Sequence, residues 1–133
     1  MTTNKSDNDT VQRNLKQNYL KERTKRVALE IIKLVEKLPK GRTSDILGRQ
    51  LLAAGTSAGA NYRAACRARS SPDFISKMGI VEEEADESIY WMELLIDCGL
   101  IRKDEMSDLL NDANQILAMT VSSIKTARRK KQQ

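Results

Sequence analysis

The stretch DILGRQLLAAGTSAGANYRAA, residues 45–65, decides the fold class. Gly55 and Gly59 each cost about 1 kcal/mol relative to Ala inside a helix, a cost that close approach of another helix offsets. Spacing in alternating steps of four and three keeps one side of a helix against its neighbours. The positions with that spacing are Leu47, Leu51, Ala54, Ala58, Asn61 and Ala65. The stretch therefore predicts a helix that packs tightly inside a helical bundle.

A helix is also predicted before this stretch, over residues 11–38, where apolar residues recur with heptad spacing. Pro39 and Gly41 end it, because proline cannot continue a helix and glycine favours its terminus. The second helix then begins with Thr43 or Ser44 as the predicted N-cap.

Two more helices follow. The third is predicted to begin with Ser71 as its N-cap and Pro72 at its first helical position. Gly99 supplies a left-handed terminus for it. The fourth helix starts near Arg102 or Lys103 and continues into a basic end.

Four helices joined by short connections predict an all-α protein, an antiparallel up-down-up-down four-helix bundle. We assign residues 12–127 to this bundle. Residues 1–11 are polar and are expected to be a disordered N-terminal segment. Residues 128–133 form a basic C-terminal tail.

The composition argues against several classes of function. There is no histidine among the 133 residues, which removes imidazole acid–base chemistry and most transition-metal sites. No phosphate-binding glycine loop or nucleophile motif is present. We therefore expect no enzymatic activity, no cofactor and no metal. No apolar run approaches the about 18 residues of a membrane span, and two cysteines without metal-site spacing are typical of a cytoplasmic protein.

The charge of the chain is unevenly distributed. Residues 1–70 contain fifteen Lys and Arg against six Asp and Glu, whereas residues 71–127 contain four against twelve. Such asymmetry is typical either of a surface that faces nucleic acid or of subunits that pair through opposite charges.

The candidate nucleic-acid contacts fall into three groups. The end of the second helix is the better candidate, because Arg can donate two hydrogen bonds to one phosphate and Tyr can stack on an unpaired base. The other two groups lie on the first helix and in the tail. Solvated helix faces have a similar composition, so this interpretation has a structural alternative. The candidates are Tyr62, Arg63, Arg67 and Arg69; Lys21, Arg23, Lys25 and Arg26; and Arg128, Arg129, Lys130 and Lys131.

The third helix contains an acidic run at residues 82–87. Glu84 and Glu87 share a seam with apolar residues, so they need partners if they are buried. Asn61, Arg63 or Arg67 could supply them, which predicts a structural polar network of Asn61, Glu84 and Glu87. A functional site around the two glutamates is the alternative, and Asn61 can also act as a buried residue that fixes helix register.

Four further stretches are distinctive: LPKG (38–41), LLAAGTSAGANYRAA (51–65), DFISKMGIVEEEADESIYWMELLIDCGLI (73–101) and ILAMTVSSIKTARRK (116–130). Together they resemble a known family, the bacterial 23S rRNA-intervening-sequence proteins. The segment EADESIYWMELL is the most specific, and the resemblance covers roughly residues 20–130. It implies an up-down four-helix bundle that assembles as a homo-oligomer, suggested to be a pentamer.

The same resemblance bears on partners. Some genes of the family lie in insertions within 23S rRNA genes, and a distant relative is the accessory protein of diversity-generating retroelements. These links imply RNA or DNA binding, although no molecular function is established for the family. Arg63 and Arg67 depart from the acidic or small residues expected after the family's Asn, which makes this stretch unusually basic.

Two functions follow as expectations. The first is a non-enzymatic, oligomeric protein that associates with RNA or DNA through basic surfaces. The alternative is a structural or protein-interaction scaffold in which basic and acidic faces pair between subunits. A metal or small-ligand site at Glu84 and Glu87 is a weaker third interpretation.

Overall fold

The computed structural model describes residues 5–132 of the chain. Its helices are α1 (Lys5–Glu36), α2 (Arg42–Cys66), α3 (Ser71–Asp97) and α4 (Lys103–Gln132). No strand occurs between residues 5 and 132. The prediction of an all-α chain with four helices is confirmed.

The helices pack in a closed cycle. Each one lies beside the next, and α4 lies beside α1, whereas the diagonal pairs α1–α3 and α2–α4 are not backbone neighbours within residues 5–132. This is the packing of a four-helix bundle. The connections between consecutive helices are only four or five residues long.

The glycines of α2 show how tightly it lies against α1. A Cβ atom added at Gly48 would lie 3.3 Å from the side chain of Val35, and one added at Gly59 would lie 3.2 Å from the hydroxyl of Thr24. One added at Gly55 would overlap the side chain of Ile31. The contacts in α1 move toward its start as those in α2 move toward its end, so this pair is antiparallel. For the other pairs, the antiparallel direction stays a prediction from the short connections.

The core is mainly aliphatic. Its largest fully buried side chains are Leu20, Ile31, Leu51, Met78, Val81, Met92, Leu95, Met106 and Thr120. At one level, small residues from three helices surround the centre: Gly55, Ala58, Ala85 and Ala113. Small side chains at that level let the helix backbones approach each other closely.

The predicted N-caps are each revised by the structure. Helix α2 begins at Arg42, with Gly41 in the cap position and no side-chain cap, and Ser44 is buried inside the helix. Helix α3 is capped by Ser70 rather than Ser71, because the Ser70 hydroxyl accepts a hydrogen bond of 3.2 Å from the Asp73 N–H. Adjacent serines offer the same chemistry, so composition alone does not choose between them.

The end of α3 agrees with the sequence. Gly99 has φ 82°, in the left-handed region that favours glycine. Its N–H donates to the Ile96 carbonyl at 3.0 Å, and the N–H of Leu100 donates to the Leu95 carbonyl at 3.0 Å. This pair of bonds is the Schellman motif.

Both ends of the described chain are helical. Residues 5–11, for which the composition predicted disorder, form the first turns of α1, and residues 1–4 lie outside the described part. These turns have no glycine or proline to break a helix, and Asp7 lies favourably near the positive end of the helix dipole. Most of the predicted basic tail likewise continues α4, to Gln132.

Candidate nucleic-acid interface

The packing of α1 on α2 brings two groups of basic residues to one surface. Thr24 contacts Gly59. Lys21 lies one turn before Thr24 and Arg63 one turn after Gly59, and in an antiparallel pair these displacements point the same way. Lys21 and Arg63 therefore lie at the same level of the bundle, on neighbouring helices.

Two further residues extend this surface, which we call the α1/α2 basic face and define as Lys21, Lys25, Arg63 and Arg67. Lys25 follows Lys21 by one helical turn, and Arg67 follows Arg63 by one turn. Lys21 is half-buried and the other three are exposed. Within residues 5–132, none of the four side chains has an ion pair or hydrogen bond. The face therefore offers unneutralised positive charge to solvent.

Arg23 does not belong to any exposed basic surface, although the sequence placed it among the candidates. Its side chain is 7% exposed. One guanidinium nitrogen donates to the Tyr19 hydroxyl at 2.7 Å and the other to Oε1 of Gln115 at 2.9 Å. The second nitrogen also lies 3.6 Å from Oδ1 of Asp112, and the guanidinium lies 5.5 Å from the centre of the Tyr19 ring. Arg23 therefore links α1 to α4 and cannot contact a phosphate.

Tyr62 is a second correction. It is 3% exposed and belongs to the core, so its ring cannot stack on a base. Burial raises the pKa of its hydroxyl above the usual range, and the adjacent Cys66 raises it further. The inner seam of α2 passes through Ala58, Tyr62 and Ala65, whereas the predicted seam placed Asn61 at the middle position.

The predicted polar network is not formed by the residues that the structure describes. The side-chain amide of Asn61 donates to the Ser57 carbonyl of its own helix at 2.9 Å. Glu84 is half-buried and Glu87 is exposed. Partial burial raises the pKa of Glu84, and the charges of Glu87 and Glu83 raise it further. The glutamates thus share an acidic surface and have no cationic partner in residues 5–132.

The remaining basic candidates are exposed but lie elsewhere. Arg26 is on α1, and Arg69 is in the connection between α2 and α3. The last turns of α4 present Arg128, Arg129, Lys130 and Lys131 to solvent. Nη2 of Arg129 donates to the Thr126 hydroxyl at 3.4 Å. Among the basic candidates within residues 5–132, only the α1/α2 basic face combines residues of two helices that pack against each other.

Two properties of the described residues bear on other functions. None of the helices described between residues 5 and 132 could span a membrane. In the same range, no three or more Cys, Asp or Glu side chains are grouped so that they could hold a metal ion.

Comparisons with known proteins agree with this architecture. Residues 16–122 match the family model described as "23S rRNA-intervening sequence protein". A crystal structure of a protein of unknown function from the S23 ribosomal protein family of Bacteroides thetaiotaomicron VPI-5482 is 36% identical, with a TM-score of 0.77. The match covers 83% of this chain and 98% of that one. No curated protein matches the chain. Because the family model spans most of the sequence, the chain belongs to the 23S rRNA-intervening sequence protein family.

Proposed function

We propose that this protein is a non-enzymatic, nucleic-acid-associated protein that binds RNA or DNA phosphates through the α1/α2 basic face. The observation that carries the proposal is the position of Lys21 and Arg63 at one level of two packed helices, without an ion pair. Arginine can donate two parallel hydrogen bonds to a phosphate, and lysine adds a point charge. The matched family is named for an intervening sequence of 23S rRNA, and the crystallised relative is assigned to the S23 ribosomal protein family, which supports the same class of partner.

This face would contact the backbone of the nucleic acid rather than its bases. Tyr62, the one aromatic residue of the predicted cluster, is buried. The four side chains of the face then make phosphate contacts, which carry no sequence information by themselves. Binding is therefore expected to have little sequence preference. A reducing, cytoplasmic location belongs to the proposal, since Cys66 and Cys98 are not joined in a disulfide.

A titration with duplex RNA and duplex DNA across salt concentrations tests the proposal. Each neutralised phosphate contributes about −0.9 to the slope of log affinity against log salt for duplex DNA, so four contacts predict a slope of roughly −3 to −4. Absence of binding at low salt, or an affinity that does not change with salt, contradicts the proposal.

A second function, a self-assembling scaffold, is favoured by a different observation. Val11, Leu15, Leu29 and Ile32 are large apolar residues on α1 that are 39–59% exposed. Apolar residues grouped on one face of a helix are typical of an interaction surface. In this function the protein is a homo-oligomer, with a pentamer as the number that the family resemblance implies. Light scattering at low and high salt tests it: assembly through opposite charges loosens as salt rises, and a monomer at every salt concentration contradicts it.

A further inference from the structure

Two aromatic rings are exposed in the described part of the chain, and their surroundings differ. Tyr19 on α1 is 51% exposed, and Tyr90 on α3 is 54% exposed. Aromatic side chains stack on unpaired bases in many proteins that bind single strands, because every base has a π-face. A stacked nucleotide also brings its phosphates close to the protein, so the charge around each ring decides whether a nucleotide binds there.

Tyr19 lies among basic residues. Lys16 is three residues before it and Arg26 is seven residues after it, so both lie on the same side of α1, about 5 Å and 10 Å from Tyr19 along the helix axis. Both are exposed, and neither has an ion pair or hydrogen bond within residues 5–132. A nucleotide on the Tyr19 ring therefore has a cation on each side for its neighbouring phosphates.

The Tyr19 ring is also held in place without a ligand. Its hydroxyl accepts a hydrogen bond of 2.7 Å from Arg23. Arg23 is buried and also donates to Gln115 on α4, which anchors the hydroxyl end of the ring to the contact between α1 and α4. About half of the Tyr19 side chain stays open to solvent. A ring that is fixed in advance loses less conformational entropy when a ligand stacks on it.

Tyr90 has the opposite surroundings. Asp86, Glu87 and Glu93 each lie within about one helical turn of it and are exposed, and no Lys or Arg of α3 lies within one turn of it. Its ring packs edge-on against Trp91, with the ring centroids 5.1 Å apart. The carboxylates repel the phosphates of any nucleotide that stacks there. Tyr90 is therefore unsuited to bind a nucleotide and is a matched control for Tyr19.

The surroundings of Tyr19 are continuous with the α1/α2 basic face. Lys25 belongs to that face, and Arg26 follows it in the sequence, about 100° farther around α1. Arg26 and Tyr19 lie two turns apart on one side of the helix, so positive charge extends from the α1/α2 basic face around α1 to the tyrosine ring. Glu22 is the one acidic residue of α1 within a turn of Tyr19, and it offsets only part of this charge.

We infer that Tyr19 is a stacking site for an unpaired base of RNA or DNA, with Lys16 and Arg26 contacting the phosphates beside it. The inference rests on the proposed nucleic-acid function and deepens it: the α1/α2 basic face holds the backbone, and Tyr19 adds a preference for strands with unpaired bases. Stacking tolerates every base, so the preference is for single-stranded over duplex regions rather than for a sequence.

The experiment compares the affinities of Tyr19 variants for single strands and for a duplex. The single strands are an RNA and a DNA of about 12 nucleotides, within the site sizes of proteins that bind single strands, and the duplex is RNA of the same sequence. Tyr19→Leu removes the ring and is expected to weaken single-strand binding roughly tenfold while duplex binding changes by less than about twofold. RNA and DNA strands are expected to show similar losses, because stacking does not use the 2′-hydroxyl.

Three further variants are matched to Tyr19→Leu. Tyr19→Phe also loses the hydrogen bond to Arg23 but keeps the ring, so it is expected to retain most of the single-strand affinity. Tyr90→Leu removes the ring with acidic neighbours and is expected to leave both affinities unchanged. Glu22→Gln removes the nearest carboxylate of α1 and is expected to raise single-strand affinity by about twofold. Circular dichroism checks that each variant is folded.

The outcomes separate the stacking site from the function on which it rests. A wild-type protein that binds neither single strands nor the duplex overturns the proposed function and the stacking site together. A wild-type protein that binds, with Tyr19→Leu losing affinity equally for single strands and duplex or for neither, overturns only the stacking site. Equal losses of single-strand affinity in Tyr19→Leu and Tyr19→Phe, or in Tyr19→Leu and Tyr90→Leu, also overturn it.

Discussion

The contact between α1 and α4 and the face shared by α1 and α2 both contain arginine, in opposite surroundings. Arg23 is buried, and its two terminal nitrogens reach a tyrosine hydroxyl, a glutamine and an aspartate, whereas its Nε–H has no hydrogen-bond partner in the described residues. Arg63 is exposed on the neighbouring helix and has no partner of its own in the described residues. The first guanidinium stabilises the bundle, and the second is available to a ligand. A count of basic residues in the sequence cannot separate these two roles, because position relative to the core decides them.

Replacing each arginine with methionine gives the largest expected difference. Arg23→Met loses two charged hydrogen bonds and an ion pair, which we expect to lower the free energy of unfolding by about 2 kcal/mol. Asp112 is partly exposed, so it is not left as a fully buried charge. Arg63→Met is expected to change stability by less than about 0.5 kcal/mol. Denaturant titration measures both, and equal losses in the two variants would contradict the distinction.

Two glycine substitutions test how tightly α1 packs against α2, the contact that positions the α1/α2 basic face. Gly55→Ala and Gly79→Ala both gain about 1 kcal/mol of helix propensity. At Gly55 the new methyl group meets the fully buried Ile31, so we expect a net loss of about 1 kcal/mol. At Gly79 nothing lies within 4 Å, so we expect a net gain of about 1 kcal/mol. Thermal unfolding distinguishes these outcomes, and a stabilising Gly55→Ala would show that α1 is packed less tightly than the structure has it.

The smallest effect concerns the acidic side of the molecule. The pKa of Glu84 is raised, so its charged form is disfavoured in the folded state relative to the unfolded state. That cost is present above the folded-state pKa and disappears as pH falls below the usual range of a glutamate. Glu84→Gln is therefore expected to be slightly more stable than the wild type at pH 7 and equally stable in acid. A variant that is less stable at pH 7 would indicate that the carboxylate has a favourable partner.

The fold could be predicted from the sequence because its signals are local. Apolar residues spaced alternately four and three positions apart indicate the four helices. Pro39 and Gly99 mark where two of these helices end. In α2 the sequence pattern assigns Asn61 to the buried seam, whereas the buried residue in the structure is its neighbour Tyr62. Adjacent positions on a helix differ by only about 100° in direction, and both can flank an alanine-rich seam.

The site could be predicted only in part. Arg63 and Arg67 are exposed as expected, whereas Arg23 and Tyr62 are buried. Arg23 lies between Leu20 and Val27, at a spacing that points it toward the core, and this signal was available in the sequence. Its partners Asp112 and Gln115 are about 90 residues away in the sequence. Helical periodicity relates residues within one helix, so it does not predict contacts between distant helices.

The central claim, that the α1/α2 basic face binds nucleic acid, is tested most directly by comparing two triple variants at 0.1 M salt. Lys21→Ala/Arg63→Ala/Arg67→Ala removes three charges from the face. Its matched control removes three exposed charges from the opposite end of the α1–α2 pair, two in the connection and one at the start of α2: Lys37→Ala/Lys40→Ala/Arg42→Ala.

The measurement is the affinity of each variant for duplex RNA, with its salt dependence. We expect the face variant to lose about tenfold or more in affinity, and the slope of its log affinity against log salt to become shallower by about 3. The control is predicted to stay within about twofold of the wild type, since charges beyond a Debye length of about 10 Å are screened. Equal losses in the two variants, or none in either, would contradict the claim.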